Sequence, residues 1–232
     1  MAIKVRVGTS GFAYPWNPDG LEWYLKESKL DCLELNASFY RFPFTNQIEN
    51  WKKKTEEYSK DFRWIIKANR LITHVYKFGP KALSAWNKFS KLFDPLEPFI
   101  DFYLFQLPPF IKSSMNEKIR EFIKNAGIEE KAAVEARNID WFENYDKLEG
   151  LNTTIVSIDA PELPRRIFNA NGVVYERIHG RRIWYSYRYS KKELKSIALN
   201  IKQANPKKAY ILFNNDHDML DNAREMKRII EG

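Results

Sequence analysis

The sequence predicts an α/β protein, a single-domain (β/α)8 TIM-like barrel spanning residues 1–232. Three observations predict it. Eight short runs are rich in β-branched and aromatic residues, longer amphipathic stretches separate most of them, and no GxGxxG or GxxxxGK[ST] fingerprint favours an open, doubly wound nucleotide fold. Alternating strands and helices make a parallel sheet, and eight such units are the number that closes a barrel. At 232 residues the chain is slightly shorter than the ~250 typical of that architecture, so its loops must be short. No linker, low-complexity tract or block of charge marks a second domain.

The first strand is expected near 3–8, leading into Gly8-Thr9-Ser10-Gly11, with a helix over 19–29 behind it. The second strand, near 31–36, alternates apolar and polar residues in Cys32-Leu33-Glu34-Leu35-Asn36 and precedes a helix over 46–59. Strands near 63–68 and 102–107 are each followed by a helical stretch, over 80–93 and 116–125. The fifth strand, near 132–137, alternates again in Ala133-Val134-Glu135-Ala136-Arg137, ahead of a helix over 141–147. After the sixth strand, near 154–158, Pro161, Pro164 and Asn169-Ala170-Asn171-Gly172 leave little room for a helix, so this connection is expected to be irregular. Strands near 173–179 and 209–214, with helices over 190–203 and 217–230, complete the set.

Composition limits the function classes. Hydrophobic residues at 44% and aromatics at 15% supply a large core with rigid fillers. No run approaches the ~18 apolar residues of a membrane span, and the charges in Met1-Ala2-Ile3-Lys4-Val5-Arg6 stand where a signal peptide carries its apolar run. A soluble, cytoplasmic protein without a membrane partner is expected. The single cysteine, Cys32, excludes an internal disulfide and a cysteine-rich zinc cluster, and its place in a strand reads as a small buried residue. Lys and Arg number 38 against 30 Asp and Glu, a net charge of +8 that favours anionic partners and is compatible with nucleic acid. Much of that charge belongs to lysine-rich helices such as Lys52-Lys53-Lys54, which read as solvated faces.

Because side chains alternate along a strand, one parity collects Arg6, Glu34, Asn36, Lys67, Asn69, Gln106, Glu135, Arg137, Asp159, Arg177, His179 and Asn214. The other collects Val5, Val7, Leu33, Leu35, Ile66, Tyr103, Phe105, Val134, Ala136, Ile178, Ile211 and Phe213. The apolar set suits the sheet–helix interface, which turns the polar set into the lumen. Most of these residues fall at the C-terminal strand ends, where barrel enzymes build their sites. The competing reading is a satisfied ion-pair lattice that only specifies the fold.

The ordered segments GTSGF with Tyr14 and Trp16, LELNASFYRFP (Leu33 to Pro43), FRWIIKANRLITH (Phe62 to His74), FQLPPF (Phe105 to Phe110), VEARNIDW (Val134 to Trp141), ERIHG (Glu176 to Gly180) and ILFNND (Ile211 to Asp216) cover nearly the whole chain. Together they resemble the domain of unknown function 72 family, also called YecE-like. The resemblance implies a TIM-like barrel without an established activity, and a likeness to endonuclease IV and sugar-isomerase barrels at the level of fold. Phe12, Ala37-Ser38 and Ala136 depart from the family pattern. Asn36, Lys67, His74, Gln106, Glu135, Arg137, Trp141, Arg177, His179, Gly180, Asn214 and Asn215 match it.

Each side chain has a chemistry to offer. His179 and Glu135 are the expected proton-transfer pair, beside a glycine that lets a ligand approach the backbone. Lys67, Arg137 and Arg177 are expected to hold an anion, a phosphate ester or carboxylate, and Lys67, if desolvated, also suits a Schiff base. Asn36, Gln106, Asn214 and Asn215 would orient the ligand, with Tyr40, Trp141 and His74 at the mouth. Phe12, Tyr14, Trp16, Phe39, Trp184 and Tyr185 suit either stacking on a ligand or packing of short loops. No cofactor is called for. Three histidines are too few for a trinuclear zinc centre, while an Mg2+ or Mn2+ on Glu34, Glu135 and Asp159 is opposed by the interleaved Arg and Lys. The expected function is binding of an anionic ligand at the C-terminal mouth, with hydrolysis or isomerisation. A nucleic-acid binding or processing protein and a non-catalytic, partner-binding barrel are the alternatives, and the sequence assigns no oligomeric state.

Overall fold

Eight strands, β1 (Lys4–Ser10), β2 (Cys32–Leu35), β3 (Arg63–Lys67), β4 (Ile100–Gln106), β5 (Ala132–Glu135), β6 (Thr154–Asp159), β7 (Val173–Ile178) and β8 (Lys208–Phe213), pair in parallel in sequence order. The sheet closes where β8 meets β1, from Lys4 opposite Lys208 to Thr9 opposite Phe213. This is a computed structural model that describes residues 3–232; residues 1 and 2 of the expected domain lie outside it. Around the barrel run α1 (Gly20–Glu27), α2 (Ala37–Tyr40), α3 (Thr45–Tyr58), α4 (Pro80–Leu92), α5 (Asn116–Ala126), α6 (Asp140–Glu143), α7 (Tyr145–Glu149), α8 (Lys191–Gln203) and α9 (Met219–Glu231). Among the described residues no helix is long and apolar enough to cross a membrane.

Local chemistry explains the boundaries. Pro80 opens α4, where its missing N–H costs nothing, and Gly127 closes α5 in a left-handed conformation. Ser190 and Glu193 form a reciprocal cap at the start of α8. The helix expected over 141–147 is broken in two, because Asn144 leaves the helical region and its side chain donates to Asp140 O (2.9 Å). Two short turns escaped the sequence reading: α2 directly after β2, and a π-helical turn over Leu71–Val75 after β3. They carry Tyr40 and His74 to the barrel mouth. Residues 160–172 form no helix, and Phe168 stacks on Tyr145 there (5.8 Å) while its backbone N–H donates to Ser157 Oγ (2.8 Å).

Two apolar clusters follow the strand parity. The larger joins Leu33, Leu35, Ile66, Tyr103, Phe105, Val134, Ile178, Ile211 and Phe213 to helix residues such as Trp86, Ile119 and Leu194. The smaller fills part of the lumen with Cys32, Ile65, Phe102, Leu104, Ala133, Val156, Tyr175, Tyr210 and Leu212. The interior is therefore layered, apolar and aromatic below and ionic above, rather than polar throughout. Arg6, expected with the polar set, faces the N-terminal end, where it makes a two-bonded pair with the carboxylate of Asp61 (2.9 and 2.7 Å).

Asp159 corrects the face expected for β6. It stands in register with Ile178, and Ser157 with Glu176, so all four face the helix layer. Arg181 donates to both Asp159 carboxylate oxygens and Tyr189 OH donates to Oδ1 (2.8 Å). Asp159 consequently cannot join Glu34 and Glu135 around a lumenal cation, nor hold the His179 ring.

Candidate functional site at the barrel mouth

Arg177, near the end of β7, crosses the lumen. Its Nε and Nη2 donate to the two oxygens of Glu34 on β2 (2.8 and 2.6 Å), and its Nη1 donates to Glu135 on β5. All three side chains are fully buried. The Tyr175 hydroxyl, two residues earlier on the inward parity, donates to Glu34 Oε2 (2.5 Å). Glu135 also accepts from Arg137. Burial pushes the Glu135 carboxyl up, but Arg137 and Arg177 outweigh it and hold the group well below the usual carboxylate range. The ion pairs of the competing reading are thus present, and they form the floor of the mouth.

His179 rests on this floor. Its Nε2 faces Nη2 of Arg137 (3.2 Å), Nη1 of Arg177 (3.3 Å) and Glu135 Oε2 (3.5 Å). Burial and the two guanidinium charges drive its pKa well below the ordinary value, so the imidazole is neutral. Nε2 thus sits among two guanidinium donors and one carboxylate acceptor, while Nδ1 has no hydrogen-bond partner. Trp184 and Tyr185 cover the ring, and Arg137 lies 4.4 Å above the Trp184 ring. Gly180 allows this cover to fold: at φ +117° it turns the chain, and any Cβ would meet Ile183 O at 2.5 Å.

A cavity of about 590 Å³ opens at the mouth, lined by residues from β1, β2, β3 and β8 and the loops after them, with Tyr185 from the loop after β7; none of the floor residues lines it. Lys67 ends β3 inside it. Its side chain is buried, its Nζ lies 4.4 Å over the Phe39 ring, and among the described residues no carboxylate pairs with it. Burial, reinforced by the Arg177 charge and opposed by Glu34 and Glu135, lowers its pKa to about 8. Ser10 Oγ and Asn36 Oδ1, both from cavity-lining residues, are buried without partners, while Asn36 Nδ2 donates to Ser10 O (3.2 Å). Asn214, Tyr14, Arg41 and the exposed Tyr40 complete the wall, together with the carboxylate of Asp216.

Of the expected residues, Lys67, Asn36, Asn214 and Tyr40 line the cavity. Glu135, Arg137, Arg177 and His179 gather in the ion-pair floor and do not line the cavity, nor does Gln106, which lies half-buried in register with Glu135. His74 stands beside Phe39 (5.0 Å) with Nδ1 against Thr73 Oγ1 (2.7 Å). Trp141 and Asn215 belong elsewhere: the Trp141 indole donates to Ile111 O (2.8 Å) in the helix layer, and Asn215 Nδ2 donates to Tyr187 O (2.7 Å) and Asn222 Oδ1 (2.9 Å). Neither can face a ligand at the mouth. Ser10, from the Gly8–Gly11 segment whose hydroxyls and amides suit an anion, lines the cavity; Tyr175 went unassigned although strand parity marks it, and Arg41 lies in a loop, where parity does not apply. Among the described residues no three His, Cys, Asp or Glu side chains cluster as a metal site.

The comparisons with known proteins agree with this architecture. A curated relative, the UPF0759 protein YunF of Bacillus subtilis, is 25% identical over 88% of this chain and 84% of its own length. A DUF72 family protein of Thermotoga maritima superposes with a TM-score of 0.83 at 26% identity, covering 99% of this chain and all of the other. One from Enterococcus faecalis gives the same TM-score at 19% identity, over 98% and 96% of the two chains. A D-psicose 3-epimerase of Clostridium cellulolyticum shares the fold alone, with a TM-score of 0.58 at 12% identity over 99% and 97%. The model of the family described as "Protein of unknown function DUF72" matches residues 6–232, and the chain belongs to that family.

Proposed function

We propose that the barrel mouth binds a small organic anion, a carboxylate or phosphate ester, with Lys67 as its charge partner. The observation that carries this reading is the unpaired Lys67 ammonium in the cavity wall. In the floor Glu34 and Glu135 neutralise Arg177 and Arg137, which leaves the Lys67 charge in excess. A desolvated cation without a counter-ion is costly, and an entering anion removes that cost. Asn36 and Asn214 supply neutral polar groups in the same wall, and Arg41 supplies a second cation, so that two cations stand against the one carboxylate of Asp216. In this reading Arg177, Arg137, Glu135 and His179 set the field and rigidity beneath the ligand. Hydrolysis or isomerisation of the anion would then depend on the groups that touch it.

The test is thermal unfolding with inorganic phosphate, pyruvate and glycerol 3-phosphate, on the parent and on Lys67→Met. At least one anion should raise the parent Tm, by several degrees at a concentration ~100-fold above its Kd, and none should raise the variant. The parent effect should fade as pH rises through about 8 and Lys67 loses its proton. Without anion the variant should be at least as stable as the parent at neutral pH, because a lysine with a lowered folded pKa destabilises the fold below that pKa. No stabilisation by any anion, or equal stabilisation of both proteins, defeats the reading.

A further inference from the structure

We propose that Lys67 is a covalent nucleophile, forming an imine with an aldehyde or ketone that also carries a carboxylate or phosphate. This rests on the anion-binding reading above and names the ligand class more closely. The geometry is that of a reactive amine. Nζ emerges at the C-terminal end of a barrel strand, enters a cavity large enough for a substrate of several carbons, and has a ring face in place of a carboxylate beside it. A lysine paired to Asp or Glu would be locked as ammonium; this one is not. Burial shifts the amine toward its neutral form, so that near pH 7.5 a useful fraction carries the lone pair. An ordinary surface lysine, titrating near 10.4, holds roughly one two-hundredth as much free amine there.

The step balances without an oxidant or reductant. The Nζ lone pair forms a bond to the carbonyl carbon, the carbonyl π pair moves to oxygen, and that oxygen takes a proton while nitrogen gives one up. The carbinolamine then loses its hydroxyl with a second proton as water, which leaves a protonated imine. Ser10 offers a buried, unpartnered hydroxyl in the same wall as a hydrogen-bond donor to the carbonyl or carbinolamine oxygen. Arg41 faces the same cavity and is free of carboxylate partners among the described residues, which suits the anionic end of the molecule. The imine restores the positive charge that deprotonation removed, so the site that attracts an anion also favours the covalent product. A protonated imine withdraws electrons from the neighbouring carbon, and this is chemistry suited to isomerisation or carbon–carbon cleavage.

The experiment is borohydride trapping on the full chain at pH 7.5. Pyruvate and dihydroxyacetone phosphate serve as probes, lactate and glycerol 3-phosphate as their carbonyl-free counterparts, and peptide mass mapping locates the adduct. The expected result is a reduced adduct on the Lys67 peptide with at least one carbonyl probe, at ≥10-fold higher occupancy than on any surface lysine. The counterparts should give none. Lys67→Arg, which keeps the charge but cannot form an imine, should lose the adduct while still being stabilised by the carbonyl-free anions. Anion stabilisation of the parent without a Lys67 adduct from either carbonyl probe overturns the nucleophile and leaves anion binding intact. An adduct spread evenly over surface lysines overturns it as well, whereas absence of anion stabilisation counts against the underlying reading instead.

Discussion

Glu176 shows how much a single buried carboxyl can weigh on this fold. It faces the helix layer in register with Ser157, close to Asp159 and Arg181, and its Oε2 lacks a hydrogen-bond partner. Burial and the Asp159 charge raise its pKa well above the ordinary carboxylate value, with Arg181 opposing. The folded state therefore keeps a proton that the unfolded chain releases near pH 4.3, and stability falls as pH climbs from there toward the folded pKa. Glu176→Gln should raise the Tm at pH 8 by several degrees, corresponding to about 1–3 kcal/mol, and this gain should shrink to nothing near pH 4. Thermal melts of the two proteins across pH 4–8 check it; a gain that persists undiminished at pH 4 contradicts it. The neighbouring Asp159 marks a limit of the sequence. Every residue of β6 is buried, so no contrast between wet and dry positions reveals which way Asp159 points.

At the scale of elements, alternation was legible wherever a strand ended in charges flanked by apolar residues. Glu34, Lys67, Glu135 and Arg177 all face the lumen as their parity requires. Asn214 and Asn215 show why adjacent polar residues still need coordinates: one lines the cavity and the next turns to Asn222 behind the sheet. Trp141 failed for a related reason, since a residue beyond a strand end is no longer bound by strand parity, and its indole found a carbonyl in the helix layer. The loop after β7 belongs to this scale too. Gly180→Ala puts a Cβ 2.5 Å from Ile183 O and 2.8 Å from Tyr187 Cβ, at a φ that L-residues rarely adopt. It should cost about 1–3 kcal/mol and loosen the Trp184–Tyr185 cover. In NMR titrations the His179 resonance, silent across pH 5–8 in the parent, should begin to titrate as water reaches the ring.

For the whole molecule, the Arg177 guanidinium ties β7 to β2 and β5 across the lumen of a barrel that the β1–β8 pairing closes. The sequence foretold eight strands and the irregular stretch between β6 and β7, yet not that its charges would converge on one arginine, because pairing across a barrel depends on side-chain reach and register together. Arg177→Met should destabilise by ~3–5 kcal/mol, since Glu34 and Glu135 would both be left buried and short of a partner. Adding Glu34→Gln should recover a measurable part of that loss, a non-additivity that urea denaturation of the single and double variants reads directly. Independent, additive effects would mean that the strut carries little.

Arg177 also imposes an order on assembly. It lies 143 residues after Glu34 in the chain. On a ribosome adding roughly 5–20 residues per second, Glu34 waits on the order of ten seconds for its partner. During that interval β2 and β5 can pair with their neighbours, but their carboxylates have no guanidinium to bury against, and a nascent half-barrel that tried to dry its interior would pay the full cost of desolvating both. The strands made first are thus held open to water until β7 emerges, so the barrel shuts late and with nearly all its staves in place.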